Sequence, residues 1–503
     1  MVVDALRLLG PCLSTELAEF LIEQYGLSPA AARKRISRAP SEVRRLGHLP
    51  FSRKARFLYL KDEYASPRYW ENLYRSIYAS QNAYSRALGA VAGRRVVPIG
   101  QFMVSCGAPV SQKRHISADT ALKRMLDANV LVTETYPGLG ECVLTKQTQE
   151  DIIRHGEGAL LAGVRSRIIA EGILLDSIKE WLRRLAFASY NKVCIRPDSA
   201  AQSRKVGNFV WDLTAPSYIA GITSWKDKKI SPGFVVCDVL LEDGITTEHI
   251  EPFLYKAKSL QALNKVGRTM FFFVAGRYEP DAFKALRENG IIPATPESLF
   301  GKDIAEAFGD LILSLKNAAK GSLDPAKFDD LFYRLGKLEG AAGNMRGALF
   351  EFVVAELIRK TSPTQVQLNK ICKGEDGMAE VDVWELKEGV VARMVECKGM
   401  APGASVDDEE IDLWLTKRIT RVRHHLKNLD WKDPKPSFEL WTSGLISDES
   451  LQRIDKTRAA NIAKFDLQVV GPLELIDKAK AVNDGPLLKL LEHHFVGLDL
   501  HHA

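Results

Sequence analysis

The sequence predicts a multidomain α/β protein, and three observations lead there. At 503 residues the chain has room for roughly three or four domains, and its 46% hydrophobic content suffices for packed cores. Beyond about residue 155, segments of helical and strand periodicity alternate, as in sheets covered by helices. The first 150 residues differ: they read twice as basic helices followed by short paired strands. The expected domains are 1–92, 93–150, 151–300, 301–340 and 341–503.

In the first segment, Leu13-Ser14-Thr15-Glu16-Leu17 opens a helix with Ser or Thr as its cap. Gly26-Leu27-Ser28 makes a turn, and 29–37 forms a second helix carrying Arg33, Lys34 and Arg35, with Arg38 just beyond. Residues 46–51 and 55–60 are expected as strands around the basic loop Ser52-Arg53-Lys54. This order resembles a winged-helix domain, which lays its second helix in the major groove of duplex DNA. Residues 95–146 repeat it: a helix from Ile99, a second helix capped by Ser117, then a hairpin with the tip Pro137-Gly138-Leu139-Gly140. The candidate DNA contacts are Arg33, Lys34, Arg35, Arg38, Arg53 and Lys54 in the first module. In the second they are Lys113, Arg114, Lys123 and Arg124. Between the modules, Tyr69, Trp70, Tyr74, Tyr78 and Tyr84 have helical spacing, which fits helix packing better than base stacking.

The most informative stretch lies near the other end. An apolar run, 379–386, contains Glu380-Val381-Asp382; Lys387-Glu388-Gly389 supplies a turn; a second run, 390–397, leads into Glu396-Cys397-Lys398. Two β-branched segments around a Gly-containing turn predict a hairpin. Residues two apart on a strand share a face, so Glu396 and Lys398 project together and the hairpin brings Asp382 beside them. Two carboxylates with an adjacent ammonium suit a hard divalent cation and an anionic phosphodiester. Upstream, Gly343-Asn344-Met345-Arg346-Gly347 opens an apolar helix that carries Glu351. Downstream come a helix with Lys417, Arg418, Arg421 and Arg423, a strand at 438–442, a helix at 447–460, a strand at 465–470, and Gly471-Pro472-Leu473-Glu474-Leu475-Ile476.

The order helix-Glu, strand-Asp, strand-Glu-x-Lys resembles the PD-(D/E)xK nuclease superfamily, over about residues 340–480. The Arg346-Gly347-x-x-x-Glu351 opening looks most like its Mrr-like restriction endonuclease branch. Val381 stands where the family's name has proline. The resemblance implies a restriction-endonuclease-like α/β/α domain. It also implies Asp382 and Glu396 as metal ligands with the Cys397 carbonyl, Lys398 as catalytic cation, and Glu351 as accessory acid. The metal would be Mg²⁺, with Mn²⁺ as a substitute. Residues 155–300 have the same order of elements: Asp212 falls where Asp382 does, and 236–240 falls where 395–398 does, offset by a residue, with Leu240 at the lysine position. An internal duplication is expected, its middle copy degenerate and apolar at the former site. Residues 301–340 are expected as a helical connector, and Asp407-Asp408-Glu409-Glu410 as the cap of the next helix.

Composition narrows the setting. No run of eighteen apolar residues suggests a membrane span, and the N-terminus lacks a signal-peptide pattern. Seven scattered cysteines without a Cys-x-x-Cys pair fit buried thiols in a reducing cytoplasm. The pairs His424-His425, His493-His494 and His501-His502 have no metal-ligand spacing and are expected at the surface. Net charge is +6, but residues 1–150 hold 21 Lys and Arg against 13 Asp and Glu, a balance of +8. A basic module joined to an acidic site suits a polyanion. The chain therefore reads as a cytoplasmic Mg²⁺-dependent double-stranded DNA endonuclease, with restriction of or defence against foreign DNA as its setting. Cutting both strands from one site per chain would call for a homodimer. The alternatives are a non-catalytic DNA-binding regulator or scaffold, or a nuclease acting on RNA once a protein partner activates it.

Overall fold

The computed structural model describes residues 1–110, 115–189, 192–196, 205–226, 229–263, 266–338, 341–362 and 364–497. The candidate contacts Lys113 and Arg114, and His501 and His502, lie outside these residues. The chain divides into two units: 1–134 with 141–157 and 182–295, and 135–140 with 158–181 and 296–503.

In the first unit, local capping shapes the opening module. A helix Val2–Leu9 leads into strand β1 (Cys12–Leu13) and helices Ser14–Tyr25 and Pro29–Ser37. Ser28 Oγ accepts from the Ala31 N–H, Pro29 occupies the first turn, and Gly26 supplies the left-handed turn between the helices at φ 63°. Strands β2 (Val43–Arg45) and β3 (Phe57–Leu60) complete an antiparallel sheet in the order β1-β3-β2. Two details differ from expectation. Ser14 lies inside its helix, where its hydroxyl accepts from the Arg56 N–H, and Glu16 caps the chain at the Leu13 N–H. Residues 46–51 form no strand: Leu46, Leu49 and Phe51 are buried in the core shared with Trp70 and Phe102, and Pro50 offers no N–H for a ladder.

The second module has the same order. Helix Ala83–Ala92 precedes β4 (Val96–Pro98), helices Ile99–Ser105 and Ala118–Asp127, β5 (Leu131–Tyr136) and β6 (Gly140–Thr145); the sheet runs β4-β6-β5. Ser117 caps the second of these helices by accepting from the Thr120 N–H. Tyr69 and Trp70, on the helix Pro67–Ala79, are buried against Phe57 and Tyr74.

The remainder of this unit is a mixed sheet. Its strands are β7 (Cys194–Ile195), β10 (Leu213–Ser217), β13 (Gly233–Leu240), β14 (Thr269–Ala275) and β15 (Ile291–Ala294). Short ladders β8 (Lys205–Val206) with β9 (Phe209–Val210), and β11 (Ser224–Lys226) with β12 (Lys229–Ser231), lie outside it. Asp212 immediately precedes β10. β10 is antiparallel to β7 and β13, while β13-β14 and β14-β15 are parallel, joined by helices Thr247–Gln261 and Pro280–Glu288.

The second unit contains a sheet of identical pattern. It consists of β16 (Val366–Lys373), β17 (Met378–Lys387), β18 (Val391–Lys398), β19 (Ser437–Thr442) and β20 (Asp466–Val470), in that order. The first three strands form an antiparallel meander, and β18-β19 and β19-β20 are parallel. Helix Ala341–Thr361 precedes the sheet; Asp408–Leu413 continues through a π turn (Trp414–Arg418) into Ile419–Asn428; Asp448–Asn461 joins β19 to β20. Trp384, Met394, Trp414, Ile419, Val422 and Phe438 form the core beneath one face. Helices Lys302–Ala319 and Pro325–Leu335 pack on each other and on Ala341–Thr361, so they belong to this unit and are not a connector. The helix Gly158–Arg184 was expected in the 151–300 domain, but its residues 158–181 belong here too.

Candidate active site

The hairpin β17-β18 puts its polar residues where expected. Val383 pairs with Val395, which sets Asp382 opposite Glu396 one step further on. Asp382 Oδ2 accepts from the Cys397 N–H at 2.7 Å. Lys398 Nζ lies 3.2 Å from Glu396 Oε1, so strand alternation does bring that pair together. Gly399 follows at a point of close approach: a Cβ there would lie 2.5 Å from Phe350 Cβ and 2.6 Å from the Arg346 carbonyl oxygen. The glycine lets the helix bearing Glu351 sit against the end of β18.

Five further residues complete the cluster, and sequence reading alone assigned none of them a role in it. Arg418, on the π turn, forms an ion pair with Glu396. Glu410 accepts from Lys398 at 2.8 Å and lies 3.6 Å from Arg418; Asp407 is the residue that caps this helix. Asn369, on β16, donates to Glu351 at 3.0 Å and accepts from Arg165 at 3.0 Å. Its φ of 53° is unusual for a non-glycine residue and aims its amide at Glu351. Asn369 and Arg165 lie 204 positions apart, which hides them from any local pattern. Glu380, two residues before Asp382, keeps a buried Oε1 without a hydrogen bond.

The electrostatics are those of crowded acids. Burial, then the charges of Glu396 and Glu351, push Asp382 well above the usual carboxylate range. Burial chiefly raises Glu380, and it raises Glu351 to about 7 despite the hydrogen bond from Asn369. Burial alone would lower Lys398, but Glu396 and Glu410 outweigh it and hold the ammonium charged. The Cys397 thiol is driven well up by burial and by Asp382, which leaves its carbonyl as the possible ligand atom.

The oxygens of Glu351, Asp382 and Glu396 are not gathered within 4.8 Å of one another, because cations hold Glu396 and the Cys397 N–H holds Asp382. The residues nevertheless fit a hard divalent ion. All are oxygen donors, the charges of Glu396 and Glu351 raise the Asp382 pKa, and Glu380 has a buried oxygen with no partner.

Glu351 makes a testable prediction. Its folded pKa of about 7 exceeds its ordinary 4.5, so the unfolded chain loses this proton first as pH rises. Stability from this group is complete below 4.5, falls between 4.5 and about 7, and stays lost above. Glu351→Gln should therefore melt higher than the parent at about pH 8 with chelator present, and equally at about pH 4. Equal melting temperatures at both pH values would refute the buried, raised acid.

The middle sheet carries a counterpart with different chemistry. Asp212 Oδ2 accepts from the Val239 N–H at 3.0 Å, as Asp382 does from Cys397, and Leu213 pairs with Cys237 as Val383 does with Val395. Asp238 thus corresponds to Glu396 and Leu240 to Lys398, without the one-residue offset expected from sequence. The site is not apolar either. Arg196 grips both Asp212 oxygens at 2.9 Å and, against the effect of burial, holds this acid at about 2. Lys256, from the helix, lies 2.5 Å from Asp238 Oδ2.

Three of the candidate basic residues of the first module line a cleft of about 850 Å³. Arg33, Arg53 and Lys54 are joined there by Arg45 and Arg56, which the sequence pattern did not single out. Arg33, Lys34 and Arg35 are exposed on the helix face opposite buried Ala32 and Ile36, and Arg38 is exposed at its end. Arg53 and Lys54 both have positive φ, 53° and 59°. In the second module Lys123 is exposed, while Arg124 is tied to the Tyr84 hydroxyl at 2.7 Å. Among the described residues no helix is long and apolar enough to cross a membrane. No family model, curated protein or solved structure matches this chain.

Proposed function

We propose that this chain is a Mg²⁺-dependent DNA endonuclease of the PD-(D/E)xK type, with Mn²⁺ as a substitute ion. One observation carries the proposal: a buried group of carboxylates with a charged lysine at the end of the strand where the sheet turns from antiparallel to parallel pairing. Asp382, Glu396 and the Cys397 carbonyl would hold the ion. When bound, it would supply an activated water and neutralise charge on the phosphate. Lys398 faces the same side as Glu396 and would orient the water and stabilise the developing charge. Glu351, held by Asn369, would fix the remaining waters around the ion. Arg418 and Glu410 keep Glu396 and Lys398 in place. The two N-terminal modules, each with helices followed by short strands, would act as winged helices, and their basic faces would position duplex phosphates. Double-strand cleavage would engage two copies, and restriction of foreign DNA is the setting that the Mrr-like resemblance favours.

A second reading, a DNA-binding scaffold without catalysis, draws on the ion pairs that close Glu396 to other ligands. Incubation of the full chain with supercoiled plasmid separates the two. Nicking with Mg²⁺ or Mn²⁺, none with EDTA, and ends bearing 5′-phosphate are expected. Tight binding without cleavage would favour the scaffold, and cleavage of RNA alone would redirect the substrate.

The binding face is tested separately. Arg53→Ala with Lys54→Ala should weaken binding evenly across DNA sequences. It should also lower the salt dependence by about one unit of slope for each side chain that pairs with a phosphate. An unchanged slope would remove this loop from the interface.

A further inference from the structure

Outside the candidate active site, the second unit brings three ligating side chains to one point. Asp484 caps a helix, Gly485–Leu491, by accepting from the Leu487 N–H, and the helix ends in a π turn, Glu492–Val496, closed by Gly497 at φ 70°. The turn places His493 and His494 against Asp329, on the helix Pro325–Leu335. Adjacent residues of an α-helix diverge by about 100°, so a wider turn is what lets both rings meet one carboxylate. His494 Nε2 lies 2.8 Å and His493 Nδ1 3.6 Å from the same oxygen, Oδ1. The three ligand atoms all lie within 4.8 Å of one another, and no other group of three is so gathered among the described residues.

We infer that Asp329, His493 and His494 form a binding site for a zinc-like transition-metal ion. Two imidazole nitrogens and one carboxylate oxygen are a borderline-soft donor set, unlike the all-oxygen group around Asp382. At metal–ligand distances of roughly 2.0–2.1 Å, tetrahedral ligands stand about 3.3 Å apart. The observed separations of 2.8 and 3.6 Å bracket that value. Lys489 Nζ bonds the other oxygen, Oδ2, at 2.9 Å, so it orients the carboxylate without taking the atom that faces the imidazoles. The His494 ring is further fixed by stacking on Phe332, 4.3 Å between centroids. The fourth position is left to water or to a substrate group. The ion would join the last helix to the helix Pro325–Leu335. It would also steady Arg346, whose Nε donates to the His494 carbonyl at the start of the helix that carries Glu351.

The test uses the full chain stripped with chelator, with His501 and His502 changed to Ala throughout so that they add no imidazoles. Zn²⁺ alone is titrated, and X-ray absorption reads the ligands at one equivalent. One ion with two imidazole nitrogens, and a melting temperature raised by Zn²⁺, are expected. His493→Ala, at a half-exposed ring, should keep the fold and lose affinity at least tenfold; Asp329→Asn should do the same. A parent that takes up no Zn²⁺ would overturn the site, as would binding that survives both variants. Plasmid nicking by the parent under Mg²⁺ reports on the Asp382 site independently of either outcome.

Discussion

Lys398→Ala should lower Mg²⁺-dependent nicking by about 10²–10³-fold while DNA binding persists. The ammonium is the one cation of the cluster that sits on the hairpin beside both acids, 3.2 Å from Glu396 and 2.8 Å from Glu410. Its loss leaves Glu396 paired with Arg418, so the buried acid keeps a partner and the fold should hold. The affected step is then the chemical one, where charge develops on phosphate oxygens in a site largely shielded from water. Lys398→Arg retains charge but replaces a compact donor by a planar fork, and should recover only part of the rate. Gel shift under EDTA and nicking under Mg²⁺ separate binding from turnover. Unchanged nicking in Lys398→Ala would sink the assignment of the site.

Lys256→Ala should destabilise the first unit by about 3–5 kcal/mol, although it lies in the counterpart of the proposed catalytic site. Lys256 is 1% exposed and donates to the carbonyls of Val104 and Val210 and to Asp238. Removing it leaves the buried Asp238 carboxylate with the Asp212 N–H but without its counter-charge, and takes a donor from the Val104 and Val210 carbonyls. The paired change Lys256→Met with Asp238→Asn removes both charges and should recover much of the loss. Urea unfolding followed by hydrogen exchange in β13 reads the effect where it occurs. A cost below about 1 kcal/mol would mean that water reaches the pair, as at an exposed ion pair. That result would reopen the middle sheet as a possible binding site.

These two lysines show what could be read locally. Asp382, Glu396 and Lys398 were legible because strand alternation and a two-strand turn fix their common face, whatever surrounds them. The ladder β16 was missed: Val366–Lys373 is a half-buried edge strand rich in polar residues, and Asn369 breaks its regular backbone. The apolar stretch 46–51 was misread as a strand because burial without pairing leaves the same composition. Glu410 looked like a cap, since helix N-termini favour acids, yet its carboxylate turns to Lys398. His493 is exposed as expected and His494 is half-buried, but nothing local showed that they meet, because Asp329 lies 165 positions before His494.

By itself the sequence determined the alternation of helices and strands, the basic first third, and the acid–lysine hairpin, all properties of neighbours along the chain. It also implied two related halves, and their sheets have the same strand order and pairing sense. Only the tertiary structure decided which charges neutralise which. Arg418 reaches Glu396 from a helix, Arg165 supports Asn369 from another, and Lys256 and Arg196 occupy the acids of the middle sheet. The physical reason is that a buried charge must find its counter-charge in space. Several side chains at different distances along the chain could have supplied it, and packing selects one.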